Sequence, residues 1–82
     1  MSANKEDGYM DRSFYHFALS FRGGAKDDLA AVFAENMFND LSFPKDEKAF
    51  DPISRYIEEK ADTEMPSVVF DELYKLYEER FS

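Results

Sequence analysis

His16 is the single histidine of an 82-residue chain that contains no cysteine, so the chemistry open to this protein narrows at once. A zinc site draws its ligands from several cysteines and histidines, and His16 alone cannot complete one. Ser13, Ser20, Ser42, Ser54 and Ser67 become nucleophiles only if a base removes the hydroxyl proton, and His16 is the sole candidate for that base. Ser20 lies four residues further along the same expected helix, within reach of the imidazole. No orienting acid, oxyanion donors or nucleophile elbow accompanies the pair. Asp51 to Asp62 has the length of a calcium loop, yet Ile53, Arg55 and Tyr56 fall where oxygen ligands or glycine are needed. Glu58-Glu59 and Glu78-Glu79 suit solvated helix faces better than paired catalytic carboxylates. Gly23-Gly24-Ala25-Lys26 lacks the full glycine pattern of a phosphate loop and the strand that precedes one. No catalytic residue, metal or cofactor is therefore expected.

Charge narrows the field further. Ten basic against eighteen acidic residues give a net charge of −8, which repels nucleic-acid phosphates. Basic residues do gather near two loops, Arg22 with Lys26 and Lys45 with Lys48, and these four carry the nucleic-acid alternative. A helix of about 13 residues between them would hold the pairs roughly 20 Å apart, at opposite ends. No aromatic platform is interleaved with the charges, as single-strand binding would want.

The elements that must position these residues are helical. Residues 1–12 are polar, contain Gly8 and show no apolar period, and are expected to be a disordered lead-in from which Tyr9 and Met10 alone could touch the core. A single helical domain over residues 13–82 is expected to follow. Ser13 is placed to cap a first helix, in which Phe14, Phe17, Ala18 and Phe21 share one face; Gly23-Gly24 stops it after Arg22. Asp27 or Asp28 caps a second helix that closes near Asp40. Its Leu29, Val32, Phe33, Ala34, Met37, Phe38 and Leu41 cover a broad arc, which predicts the central position in the fold. Lys45 to Phe50 has room for a turn of helix, and Asp51-Pro52 is expected to start a third helix with the aspartate as cap and the proline in first position. Asp62 to Pro66 is a linker, after which Ser67 caps a last helix to Phe81. The predicted class is all-α, a compact bundle of four principal helices with room for a short fifth.

Small size makes the aromatics important. A chain of this length buries only about 60–65% of the surface its unfolded form exposes, and nine phenylalanines with five tyrosines compensate by removing large areas from water. Phe14, Phe17, Phe21, Phe33, Phe43, Tyr56 and Phe70 are assigned to structure. No apolar run approaches the roughly 18 residues of a membrane span, and no signal-peptide core precedes residue 13. A cytoplasmic location without membrane contact is expected.

Ser13-Phe14-Tyr15-His16-Phe17, Phe21-Arg22, Lys26-Asp27-Asp28, Phe33-Ala34, Ser42-Phe43-Pro44-Lys45, Ile53-Ser54, Tyr56, Ala61-Asp62 and Phe70-Asp71-Glu72 form an ordered set. That set resembles the YozE family of small bacterial proteins, over residues 13–79 and without an evident gap. The resemblance implies a fold similar to the sterile alpha motif in a bacterial cytoplasmic protein. It brings no established catalytic or ligand residues. Gly23-Gly24 stands where relatives tend to have proline, and Tyr74 where they tend to have tryptophan.

The expected function is a protein-interaction or regulatory module without catalysis, acting on a protein partner as a monomer or with weak self-association; a nucleic-acid accessory module is the alternative. On the last helix, Tyr74 and Leu76 widen the apolar arc to about 160°, beyond the roughly 100° that one core face needs. With Glu72, Glu79 and Arg80 as a charged rim, they make the candidate interaction surface.

Overall fold

The computed structural model describes residues 13–81, so the lead-in expected over residues 1–12, with Tyr9 and Met10, lies outside the described residues, as does Ser82. Four helices follow one another: α1 (Phe14–Leu19), α2 (Leu29–Asn39), α3 (Phe50–Lys60) and α4 (Ser67–Phe81), with no strand among the described residues.

Ser13 caps α1 as its sequence position predicts, its side chain accepting from the His16 N–H. The helix is shorter than expected. After Leu19 the chain tightens, with Phe21 and Arg22 donating to the carbonyls of Ala18 and Leu19, while the Ser20 hydroxyl donates to the Phe17 carbonyl at 2.7 Å. Gly23 then turns at φ 90°. Gly24 serves a different need: a Cβ there would sit 2.9 Å from the Cβ of Ala31, so only glycine lets the loop lie against α2.

Asp28, of the two candidate aspartates, caps α2 by accepting from Ala30 and Ala31 at 3.0 and 3.4 Å. The helix α3 departs from expectation at its start. Phe50 is already helical and Ala49 flanks it without a side-chain cap. The Phe50 ring stacks on Phe70 at 5.3 Å and meets Tyr74 edge-on at 5.2 Å, contacts that accompany a helix start two residues earlier than expected. Pro52 is consequently the third helical residue, where its missing N–H still deprives the helix of nothing. Asp51 lies in the first turn, favourably placed for the helix dipole, and does not cap. The turn of helix for which Lys45 to Phe50 had room does not form there. Lys45 and Asp46 make a turn, and the Glu47 carboxylate then accepts from the N–H groups of Lys48 and Ala49 at 3.2 Å each. Ser67 likewise begins α4 from inside it, and the Pro66 carbonyl accepts from Val69 and Phe70.

The central helix is α4, which contacts the other three; α2, expected in that place, contacts α1 and α4. Its broad apolar arc is not all covered, since Leu29 and Phe38 are exposed, and Leu41 lies beyond the helix. Val69, Phe70, Leu73, Tyr74 and Tyr77 of α4 are buried on two adjacent faces, which is how one helix serves three neighbours. Phe14 is fully enclosed among them, edge-on to Phe70 at 5.1 Å, Tyr77 at 5.8 Å and Phe33 at 6.5 Å. Met65, in the expected linker, is also core.

Candidate functional site

An open groove of about 330 Å³ runs between α4 and the end of α1, lined by Phe17, Ser20, Phe21, Leu76, Glu79 and Arg80. Three of the residues read from the sequence as an interaction surface meet here. Leu76 is 45% exposed, and Glu79 and Arg80 flank it in the last turns of α4. Glu72 is exposed one turn before Leu76. Tyr74 belongs elsewhere. It is buried on the opposite flank of α4, where its hydroxyl donates to the Lys48 carbonyl at 2.8 Å, and burial pushes its phenol pKa up.

The other wall of the groove was missed in the sequence because Phe17 and Phe21 look like ordinary core positions of α1. They are half-buried: Phe17 packs on Tyr77 at 5.6 Å and Phe81 at 6.1 Å, and Phe21 packs on Phe17 at 5.6 Å. Their remaining surface forms the floor beside Leu76. No periodicity within α1 predicts which α4 residues it will face.

The serine–histidine contact does exist, but with Ser13 in place of Ser20. The Ser13 hydroxyl lies 2.8 Å from Nδ1 of His16 and accepts from the His16 backbone N–H at 3.3 Å. Ser13 is buried and closes the helix N-terminus, so the contact is a cap reinforced by the ring of the third helical residue. Among the described residues no group of three His, Cys, Asp or Glu side chains could hold a metal ion.

A polar cluster joins the end of α2 to α3. Asp40 accepts a short hydrogen bond from the Tyr56 hydroxyl and another from the Ser42 N–H at 3.1 Å, and the Lys60 ammonium stands 3.6 Å away. Burial alone would raise the Asp40 pKa, but the Tyr56 and Ser42 hydrogen bonds and the Lys60 charge together hold it below the usual carboxylate value. Burial, and then the same carboxylate, push the Tyr56 phenol up to about 12. The cluster clasps the end of α2 to α3.

The four basic residues are engaged in different ways. Arg22 turns back along α2, its Nε donating to Glu35 at 2.9 Å and its guanidinium lying 3.8 Å from the Phe38 ring centroid, so it does not mark the far end of that helix. The Glu35 carboxyl is held below its usual value by that hydrogen bond. Lys26 lines a separate hollow of about 270 Å³ with Gly23, Gly24 and Glu35. Lys45 donates to the Leu41 carbonyl at 3.2 Å and stands 5.5 Å from the Tyr15 ring centroid, while Lys48 is exposed.

Four helices around an aromatic core define a small helical domain of sterile-alpha-motif-like architecture. The family model described as YozE SAM-like fold matches residues 13–79, and the chain belongs to that family. It is 49% identical to a UPF0346 protein of Staphylococcus haemolyticus, covering 82% of this chain and 89% of that protein. A UPF0346 protein of Staphylococcus saprophyticus is also 49% identical, over 84% of this chain and 92% of its own length. One of Levilactobacillus brevis is 38% identical over 83% and 93%. No solved structure matches the chain. No helix among the described residues is long and apolar enough to cross a membrane.

Proposed function

We propose that this domain is a non-catalytic interaction module that docks a protein through the groove between α1 and α4. The observation that carries this reading is the groove itself: the aromatic floor of Phe17 and Phe21, the half-exposed Leu76 beside it, and Glu79 and Arg80 at the edge. An apolar centre with a charged rim is the anatomy of a protein contact. The nucleic-acid alternative has less behind it. Arg22 is engaged by Glu35, the Lys45 ammonium by a backbone carbonyl, and the net charge of −8 opposes approach.

The test is affinity capture from native lysate with mass spectrometry, with and without nuclease, comparing the wild-type chain with Leu76→Lys. Leu76 is exposed, so the substitution should leave stability within about 0.5 kcal/mol while removing the captured protein. Equal capture by the folded variant would remove the groove from the interaction, and nuclease-sensitive capture would restore the alternative.

A further inference from the structure

We infer that the occupant of this groove is a second copy of the chain, with the two α4 helices antiparallel about a two-fold axis at Leu76. The inference rests on the groove being a docking surface and adds the identity and orientation of its partner. Glu72, Leu76 and Arg80 recur at four-residue spacing, so they form one slowly turning stripe on the outer side of α4, about 12 Å from end to end. All three are exposed. Leu76 is the midpoint. When a second helix is laid against the stripe end for end, Leu76 meets the partner's Leu76, Glu72 meets the partner's Arg80, and Arg80 meets the partner's Glu72. The stripe is therefore complementary to itself, as an isologous interface requires.

The same pattern rejects the other orientation. Parallel helices would set Glu72 against the partner's Glu72 and Arg80 against the partner's Arg80, two like-charge contacts in place of two ion pairs. Within its own helix Arg80 has no carboxylate three or four residues back, where Tyr77 and Leu76 stand. Among the described residues neither Glu72 nor Arg80 forms an ion pair, in contrast to Arg22 and Lys60. The groove supplies the apolar part, since the partner's Leu76 enters beside Phe17 and Phe21. One stripe and one shallow groove make a small contact, so the association is weak and reversible.

Net charge works against pairing at long range, because each copy carries −8. The measurement belongs at about 150 mM salt, where screening over about 8 Å removes most of that repulsion and spares contacting groups. Sedimentation velocity over a concentration series should show reversible dimers. Glu72→Arg and Arg80→Glu should each weaken dimerisation about tenfold or more, as two like-charge contacts replace two ion pairs. The double variant should return to within about threefold of wild type, and an equimolar mixture of the single variants should form mixed dimers. Circular dichroism and denaturation of each variant establish that the fold is kept. Because the chain has no cysteine, Leu76→Cys should oxidise to a linked dimer, and Leu29→Cys, exposed on α2, should not. A wild-type chain that stays monomeric up to about 1 mM, or single reversals without rescue, would overturn the pairing. If capture of a different protein is still lost on Leu76→Lys, the groove remains a docking surface and only its occupant changes.

Discussion

Phe43 lies between the rings of Tyr15 at 5.9 Å and Tyr56 at 5.5 Å and is 3% exposed, although it belongs to a loop. Its ring sits between α1 and α3, two helices whose backbones do not approach each other closely. Phe43→Ala should therefore lower unfolding free energy by about 3–5 kcal/mol in urea, the range of a buried phenylalanine truncation; a loss below about 1 kcal/mol would mean that the loop does not hold the helices. Asp40 next door makes stability depend on pH in a defined direction. Its folded pKa lies below the ordinary value of 3.8, so its contribution is complete above that value and is lost as pH falls through the folded one. For Tyr56 the sign reverses. Its pKa rises from 10.0 to about 12, so stability is complete below pH 10.0 and is lost as pH climbs through about 12. Denaturation midpoints across pH should show Asp40→Asn flattening the acid limb and Tyr56→Phe flattening the alkaline one.

Among the elements, α3 is the least enclosed. It packs against α4 alone and is tied to the end of α2 through Tyr56, Lys60 and Asp40. Its C-terminus holds a strained residue. Ala61 adopts φ 51° and ψ 39°, the left-handed conformation that glycine usually supplies after a helix, while its N–H donates to the Ile57 carbonyl at 3.0 Å. An L-residue is disfavoured there by roughly 1–2 kcal/mol, and glycine gives back part of that gain through its freer unfolded state. Ala61→Gly should thus stabilise the domain by about 0.5–1 kcal/mol, visible as a raised melting temperature. A lowered one would mean that the Ala61 methyl makes a packing contribution larger than the relief of strain.

For the whole molecule the net charge of −8 sets the long-range behaviour, and the distribution of the cations sets the short-range behaviour. Arg22, Lys26, Lys45 and Lys48 are divided among a salt bridge, a hollow, a backbone carbonyl and an exposed loop. Filter-binding at low salt is the condition most favourable to phosphate contacts. It should show no appreciable retention of duplex or single strands. Tight binding that disappears when Lys45 and Lys48 are replaced would place nucleic acid ahead of a protein partner.

The all-α class, the cap at Ser13, a second cap at Asp27 or Asp28 and the burial of Phe43 were legible in the sequence because each depends on neighbours a few residues away or on the size of one side chain; the structure selects Asp28. Leu76, Glu79 and Arg80 were legible as neighbours on the last helix, since helical spacing fixes which side chains lie close together, but their exposure was not. Spacing says nothing about which face another helix will cover. Tyr74 and Leu76 both lie at the edge of the apolar arc of α4; tertiary packing, on Phe14 and Phe50 among others, buries the first and leaves the second 45% exposed. The start of α3 at Phe50, the central place of α4 and the Phe17–Phe21 wall of the groove were set in the same way. Each follows from contacts between residues far apart in the chain, whose energies outweigh the local preferences that a sequence displays.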